Sequence, residues 1–594
     1  MSDTNKPTGE GGKPAPGAPS GSTQQETKPG VPPPAPPPGP PAKPAPKNPG
    51  MVTITVDGVE VAVAPGTNMI EAAAQAGSEI PYYCWHPRLS VAANCRMCLV
   101  EVSPGPPKLV PACQTAIAEG QVVKTNTDRV HEQQRAIMEF LLLNHPVDCA
   151  ICDQAGECKL QDYYMRYDHQ PARLDGPKIL RDKRKVLGPL VVIDQERCIM
   201  CTRCVRFMNE VAKEPQLGVF GRGSHEVVDT FPGQQLDSNY SGNTVDLCPV
   251  GALLNRDFRF RARSWFLSAA PSVCTGCSRG CNTFADFFGQ DTYRYRPREN
   301  EAVNKSWMCD QGRLSYKYLN TDRVTGAFTG RGADRVQVTA EDAVRTAASK
   351  LKSYSGEQLA VVASALLSNE DLLAGLTFAK EVLGAKAVYA GGRAPGKGDS
   401  FLLTADKNPN SKGLAFIAKA LGLELRGFDL LQKGMGKLKA LYMLGTEVPV
   451  DEAAFAATLG GLELFVAQAH NSSPVTEQAH VVLPASVHTE DEGSFVNVDG
   501  IIQRFRKAYP PRGESRPHWR YATELMHAWG MTGGYTTSRE VWMALAQRVP
   551  ELASFAWDKS APFGTPKGIH NQPASADGRP PGYREWGTPR VRGL

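Results

Sequence analysis

Cysteine is absent before Cys84 and after Cys309, although the 594-residue chain contains 15 of them. Leucine, isoleucine and phenylalanine are absent from residues 1–50, which hold 16 of the 47 prolines. No apolar run approaches the roughly 18 residues that cross a bilayer. Leu359 to Leu367 is among the longest, and Ser364 interrupts it. The amino terminus has no charged start followed by an apolar stretch, so no secretory signal is expected. No repeat of solenoid period occurs. These absences exclude a membrane-spanning chain and disfavour a secreted disulfide framework, in which an odd cysteine count would leave one thiol unpaired. They predict a reducing, cytoplasmic compartment.

The cysteines that are present fall into four consecutive groups. Cys84, Cys95, Cys98 and Cys113 form the first, and Cys149, Cys152 and Cys158 the second, with His145 four residues ahead. Cys198, Cys201, Cys204 and Cys248 form the third, and Cys274, Cys277, Cys281 and Cys309 the fourth. Fifteen thiols and one imidazole complete four four-ligand sites with no thiol left over. The first group, C-x10-C-x2-C-x14-C, suits a [2Fe–2S] core, in which each iron takes two thiolates. Zinc also takes four thiolates and remains an alternative there and at the fourth group. In the second, His145 precedes a C-x2-C-x5-C loop that lacks a fourth cysteine; a neutral imidazole in place of a thiolate lowers cluster charge and raises its potential. In the third, three thiolates at x2, x2 spacing wrap three corners of a cubane, and the remote Cys248-Pro249 closes the fourth. The C-x2-C-x3-C-x27-C spacing of the last group also suits a [4Fe–4S] centre. His86 lies beside a complete set and is read as packing or as a hydrogen-bond partner.

A formal charge of +5 counts those thiols as neutral. Four oxidised cores of about +2 each, bound by fifteen thiolates, would bring the chain to about −2. The excess is therefore no sign of nucleic-acid binding. Arg96, Arg203 and Arg206 stand beside the ligands, either offsetting their charge or facing solvent.

Length allows about three to five domains, and 41% hydrophobic with 21% charged residues is ordinary for a globular protein. Residues 1–50, with their run Pro32 to Pro38, read as a disordered, Pro-rich extension. Val52–Val56 and Val59–Val63 alternate at period two around Asp57-Gly58, a hairpin. A helix through about Ala76 follows, with Asn68 and Glu71 placed like a capping box. This suits a β-grasp domain over 51–130. A second amphipathic helix, Arg129 to Leu143, leads into a His/Cys3 segment, 131–170. A ferredoxin-like [4Fe–4S] domain over 171–266 and a [4Fe–4S] segment over 267–323 come next. Leu359 to Ala363, Ala387 to Tyr389, Leu438 to Leu444 and His480 to Leu483 read as buried strands, with helices at Glu341 to Ser353 and Asn369 to Leu383 between them. The expectation for 324–545 is an α/β domain with a mainly parallel sheet, and for 546–594 a loose tail. The glycine-rich Gly391 to Gly398 nearly matches a phosphate-binding loop, but it lacks the Ser/Thr hydroxyl and a following helix. His488 and the acidic residues near it read as a solvated loop.

Asn94-Cys-Arg-Met-Cys-Leu-Val-Glu101, Asn144-His-Pro-Val-Asp-Cys-Ala-Ile-Cys152, Arg197-Cys-Ile-Met-Cys-Thr-Arg-Cys-Val-Arg206, Leu247-Cys-Pro-Val-Gly-Ala-Leu253 and Trp307-Met-Cys-Asp310 carry a resemblance. In this order they resemble the iron–sulfur-rich large subunits (G type, 75 kDa type) of bacterial NADH–quinone oxidoreductase, respiratory complex I. The resemblance covers about 51–545. Leu483-Pro-Ala-Ser and Gly493-Ser-Phe-Val-Asn add the look of a molybdopterin-oxidoreductase domain. That part is short, and no cysteine follows Cys309 to bind molybdenum, so no molybdenum cofactor is expected. The fold implied is multidomain, α+β then α/β. It joins a β-grasp [2Fe–2S] domain, [4Fe–4S] ferredoxin-like domains and a shortened molybdopterin-oxidoreductase-like domain. The resemblance further implies one [2Fe–2S] and three [4Fe–4S] clusters. Electrons would arrive from a flavin/NADH-binding subunit through a [2Fe–2S] subunit, pass through the first group, the third group and the His-ligated second group in turn, and leave toward quinone-side iron–sulfur subunits. The fourth group corresponds to an off-path cluster found in part of the family. The chain would belong to an enzyme without an NADH or quinone site of its own. It would lie on the cytoplasmic side of the inner membrane, held there through partner subunits. The competing readings are an iron–sulfur subunit of a soluble NAD-linked hydrogenase or formate dehydrogenase, and a zinc-organised scaffold.

Overall fold

The computed structural model describes residues 50–168, 171 and 173–553. The expected disordered extension, apart from Gly50, and the tail from 554 onward lie outside the described residues. The first hairpin forms as its turn dictates. Val52–Val56 pairs antiparallel with Val59–Val63, and Asp57 and Gly58 both take left-handed φ, 48° and 88°. That geometry matches strand twist and needs a permissive residue such as glycine. Val122–Lys124 adds parallel to Val52–Val56, and Leu99–Ser103 and Val110–Pro111 complete a five-stranded mixed sheet. The helix Met69–Gln75 packs on it, burying Met69, Ile70, Ala72 and Ala73. Asn68 caps this helix by accepting from the Ile70 N–H at 2.9 Å. Among the described residues the reciprocal arm from Glu71 does not form, so the expected capping box is a single cap.

The middle of the chain is built from small sheets. Lys185–Val186, Val191–Ile193 and Leu253–Asn255 form one of three strands, and Leu217–Phe220 with Val227–Thr230 a ribbon. Ser268–Val273, Asn282–Phe288 and Asp291–Pro297 form an antiparallel meander. None of these is wide enough to enclose a core alone.

The last part is an eight-stranded sheet. Six strands run parallel in the order Val481–Pro484, Leu464–Ala469, Ala440–Leu444, Leu359–Ser364, Ala387–Gly391 and Glu424–Arg426. Ala327–Thr329 and Val336–Val338 extend one edge antiparallel. The central strands split their side chains by the two-residue period. Ala440, Tyr442 and Leu444 face one apolar layer, together with Leu464 and Val466; Leu441 and Met443 face the other, with Phe465 and Ala467. Helices Ala340–Leu351, Asn369–Glu381, Ser411–Ala420 and His518–Ala528 cover the first face, and Phe428–Gly434 and Glu452–Thr458 the second. Coverage of both faces explains why these strands are continuously apolar.

Two expectations change here. The packed region runs past the boundary expected at 545, because helix Ser538–Arg548 continues and Val549 and Leu552 are fully buried in the first layer. The stretch around His488 is not solvated. Glu490 is 1% exposed and accepts from both terminal nitrogens of Arg323 at 2.7 Å. Gly493–Val496 and Ile502–Phe505 then form a buried hairpin. The glycine-rich loop after Gly391 opens no helix until Ser411.

Candidate metal centres

The first group closes on itself. Cys84 follows the buried Tyr83, Cys95 and Cys98 flank a turn in which Arg96 has φ 60°, and Cys113 follows the strand Val110–Pro111. The Cys84 thiol is pulled down by hydrogen bonds with Cys113 and Cys95, and Cys98 is lowered by Cys113. Cys95 and Cys113 are raised by the same contacts. Four thiols within reach of one another cannot all ionise unless a cation replaces their protons. The cap of the first helix also holds this site, since Asn68 Nδ2 donates to the Cys113 carbonyl at 2.6 Å.

The second group lies between helices Asp128–Leu143 and Lys159–Tyr167. Burial raises the thiols of Cys152 and Cys158, the latter to about 12, while Cys149 is exposed. Burial, reinforced by Arg197 and Lys178, holds His145 down at about 4. The ring is therefore neutral at pH 7, the form that can lend a lone pair to a metal. Among the described residues no hydrogen bond joins His145 to the three thiols.

In the third group, burial raises Cys198 to about 12, Cys248 to about 11 and Cys201 and Cys204 as well. All four line one cavity of ≈ 20 Å³, with Ile193, Ile199, Val228, Val250, Ala252 and Leu253 as its walls. Thr202 and Arg203 complete the lining, and the volume exceeds the roughly 10–15 Å³ that one water needs. An inorganic iron–sulfide core bound through the four sulfurs fits this chemistry.

The fourth group is framed by the meander and by the short helix Asp310–Leu314. All four thiols are buried, and burial lifts Cys274 to about 11 and Cys281 and Cys309 further. Gly276 N–H donates to Cys274 Sγ at 3.4 Å and Gly312 N–H to Cys309 Sγ at 3.3 Å. A side chain at Gly312 would put its Cβ 2.9 Å from Cys274 Sγ and 3.3 Å from Cys309 Sγ, so glycine keeps the space between the sulfurs open. Hydrogen bonds to sulfur are among the levers that tune cluster potential. Among the described residues no set of three or more His, Cys, Asp or Glu side chains is arranged to hold a single metal ion.

The groups are packed in sequence. One apolar cluster joins Cys158 of the second group to Cys95 of the first and to Cys198 and Cys248 of the third. Another joins Cys204 of the third to Cys274, Cys277, Cys281 and Cys309. At the junction of the second and third, Lys159 N–H donates to the Pro249 carbonyl at 3.1 Å, and a Cβ on Gly251 would lie 2.1 Å from Cys152 Sγ. Ligand spacing alone did not mark Gly251, Gly312 or Asn68. Glycines placed within three residues of a cysteine were the available signal for the first two. His86 behaves as expected of a packing residue, stacking on Trp307 at 5.5 Å and accepting from Arg88 N–H.

Comparison with known proteins matches four stretches of the chain to family models. Residues 50–128 match the family model of the 2Fe-2S iron-sulfur cluster binding domain. Residues 134–173 match the NADH-ubiquinone oxidoreductase-G iron-sulfur binding region, and 188–254 the ferredoxin-like domain of NADH-quinone oxidoreductase subunit 3. Residues 410–528 match the molybdopterin oxidoreductase model. The chain is 40% identical to the G subunit of NADH-quinone oxidoreductase from Rickettsia felis, over 54% of this chain and 47% of that one. It thus spans about half the length of the Rickettsia relatives it matches. With the mitochondrial 78 kDa subunit of NADH-ubiquinone oxidoreductase from Neurospora crassa it shares 30% identity over 86% of this chain and 85% of that one. A chain of an NAD+-reducing [NiFe]-hydrogenase crystal structure is similar over 36% of this chain and 90% of that chain, at 28% identity and a TM-score of 0.33. With a multidomain fold of small cysteine-bearing sheets leading into a molybdopterin-type α/β domain, this chain belongs to the family of the NADH-quinone oxidoreductase G subunits and the mitochondrial 78 kDa subunits.

Proposed function

We propose that the chain is an electron-relay subunit in the peripheral arm of an NADH–quinone oxidoreductase. In this reading Cys84, Cys95, Cys98 and Cys113 hold a [2Fe–2S] cluster. His145, Cys149, Cys152 and Cys158, then Cys198, Cys201, Cys204 and Cys248, then Cys274, Cys277, Cys281 and Cys309 each hold a [4Fe–4S] cluster. Such clusters supply one-electron storage at potentials set by ligand charge, hydrogen bonding to sulfur and solvent exposure. The protein's own part is to bring the ligand sets together, to dry them and to fix their order. The observation that carries the reading is the packing in series, in which each group shares an apolar cluster with the next.

The domain division at 51–130, 131–170, 171–266, 267–323 and 324–545 belongs to the same proposal, with the packed part extended to Leu552. So do the partners: a flavin/NADH-binding subunit and a [2Fe–2S] subunit on one side, and quinone-side iron–sulfur subunits on the other. NADH and quinone would bind on those partners. No helix among the described residues is long and apolar enough to cross a membrane, so attachment to the cytoplasmic face of the inner membrane would run through the partners. In the assembled complex Cys201→Ser should abolish electron passage from NADH to quinone, while oxidation of NADH by an artificial acceptor at the flavin persists. Undiminished quinone reduction in that variant would sink the proposal.

A further inference from the structure

Of the three arginines beside the thiols, Arg96 is exposed, Arg203 is buried and Arg206 is half-buried. Arg206 occupies an uncommon position. Its single nitrogen Nη2 donates to the main-chain carbonyl of Cys84 at 2.6 Å and to that of Cys201 at 3.1 Å. One atom therefore ties a residue of the first group to a residue of the third. Nη1 donates to the carbonyl of Ser90, in the loop between Cys84 and Cys95, and Nε to Thr202 Oγ1 at 3.3 Å. Glu210 grips the same loop, accepting from Ser90 N–H at 2.8 Å and from its hydroxyl. Asn94 Nδ2 adds a bond to the Met200 carbonyl at 3.0 Å. Arg203 reaches back to the Trp85 carbonyl and to Leu247, the residue before Cys248. The segment bearing these side chains is irregular, a turn of α-helix at Arg203–Arg206 that widens into π-helix at Phe207–Val211. Such widened turns frequently mark functional sites.

We propose that Arg206 is a positioning residue for electron exchange between the first and third centres. The inference rests on the relay reading. The exchange is one electron leaving the first centre and one entering the third, with no bond made and no proton moved. Arg206 serves it in two ways. Its planar, permanently charged fork fixes the spacing of the two ligand-bearing main chains, and its charge lies beside both anionic sites. Lysine offers a point charge without the fork, so it separates the two contributions.

The test uses the assembled, iron-loaded complex carrying Arg206→Lys or Arg206→Gln. Iron content, the potentials of both centres, the magnetic interaction between them and the rate of electron exchange by freeze-quench EPR are read together. With iron retained, Arg206→Lys should leave both potentials near those of the unmodified complex. It should nevertheless alter the magnetic interaction and measurably slow exchange, since tunnelling between the two centres falls off with their separation. Arg206→Gln should in addition lower both potentials together. Full iron with an unchanged interaction and rate in Arg206→Lys would overturn the proposal. So would loss of iron from both variants, which would make Arg206 a scaffold residue only. Absence of iron from the unmodified chain would instead defeat the relay reading on which the inference rests.

Discussion

The cysteine-bearing part, through about residue 323, and the α/β part after it solve the problem of a stable interior in opposite ways. After Asn320 the interior is mainly hydrocarbon, with a few paired polar groups such as Arg323–Glu490 inside it. Two apolar layers sandwich one broad sheet, and strands such as Ala440–Leu444 and Leu464–Ala469 are buried at every residue. Before it the sheets are narrow, the connections long, and cysteines themselves are members of the apolar clusters: Cys98 and Cys113 in one, Cys158 in another, Cys204 and the whole fourth group in a third. A buried thiol that keeps its proton packs as a small hydrophobe; once ionised it needs a cation beside it. In the relay reading the first part is organised around the clusters its sulfurs would bind, and the second around its own side chains.

The largest test of that contrast is removal of iron. Anaerobic chelation should collapse hydrogen-exchange protection across about 84–310 and leave the strands of the eight-stranded sheet protected. Equal loss in both parts would erase the distinction. The reverse perturbation is Phe465→Ala. Phe465 is fully buried in the second apolar layer, and its truncation should destabilise the α/β part by about 3–5 kcal/mol. Iron content should stay unchanged, as denaturant melts with iron analysis would show.

How much of this contrast could be read in the sequence depended on the range of the interaction involved. The hairpin at Asp57-Gly58, the helix Asp128–Leu143 and the parallel strands were legible because period and turn chemistry are local. The tight cysteine runs were visible in the sequence because their spacing of two or three residues is local too. What escaped were pairings between distant segments. Glu490 is an ordinary acidic loop residue until Arg323 is brought against it across 167 positions. Arg203 and Arg206 gave no hint of whether they faced water, because the carbonyls they bind belong to Trp85, Cys84 and Ser90. The order of the sheet, with Ala440–Leu444 beside Leu359–Ser364, is likewise a property of packing that no single strand encodes.

The smallest effect sharpens the comparison through pH. His518 is buried in the α/β part, with Nδ1 2.8 Å from Gln468 Oε1, and burial holds it down at about 4. Between its unfolded value near 6.5 and about 4, the unfolded chain binds a proton that the folded chain excludes. Stability from this group is therefore full above about pH 6.5 and is lost as pH falls toward 4. The slope is at most about 1.4 kcal/mol per pH unit. Melts of the α/β part between pH 7 and 4.5 should show it, and His518→Gln should flatten it. A slope that survives the substitution unchanged would assign the acid lability to other groups.

The central claim, that the sulfurs organise iron–sulfur centres in series, is tested most directly by metal and sulfide analysis with EPR on anaerobically reduced protein. The account predicts about 14 iron atoms per chain, with signals of one [2Fe–2S] and three [4Fe–4S] centres. Zinc in place of iron, with no such signals, would contradict it.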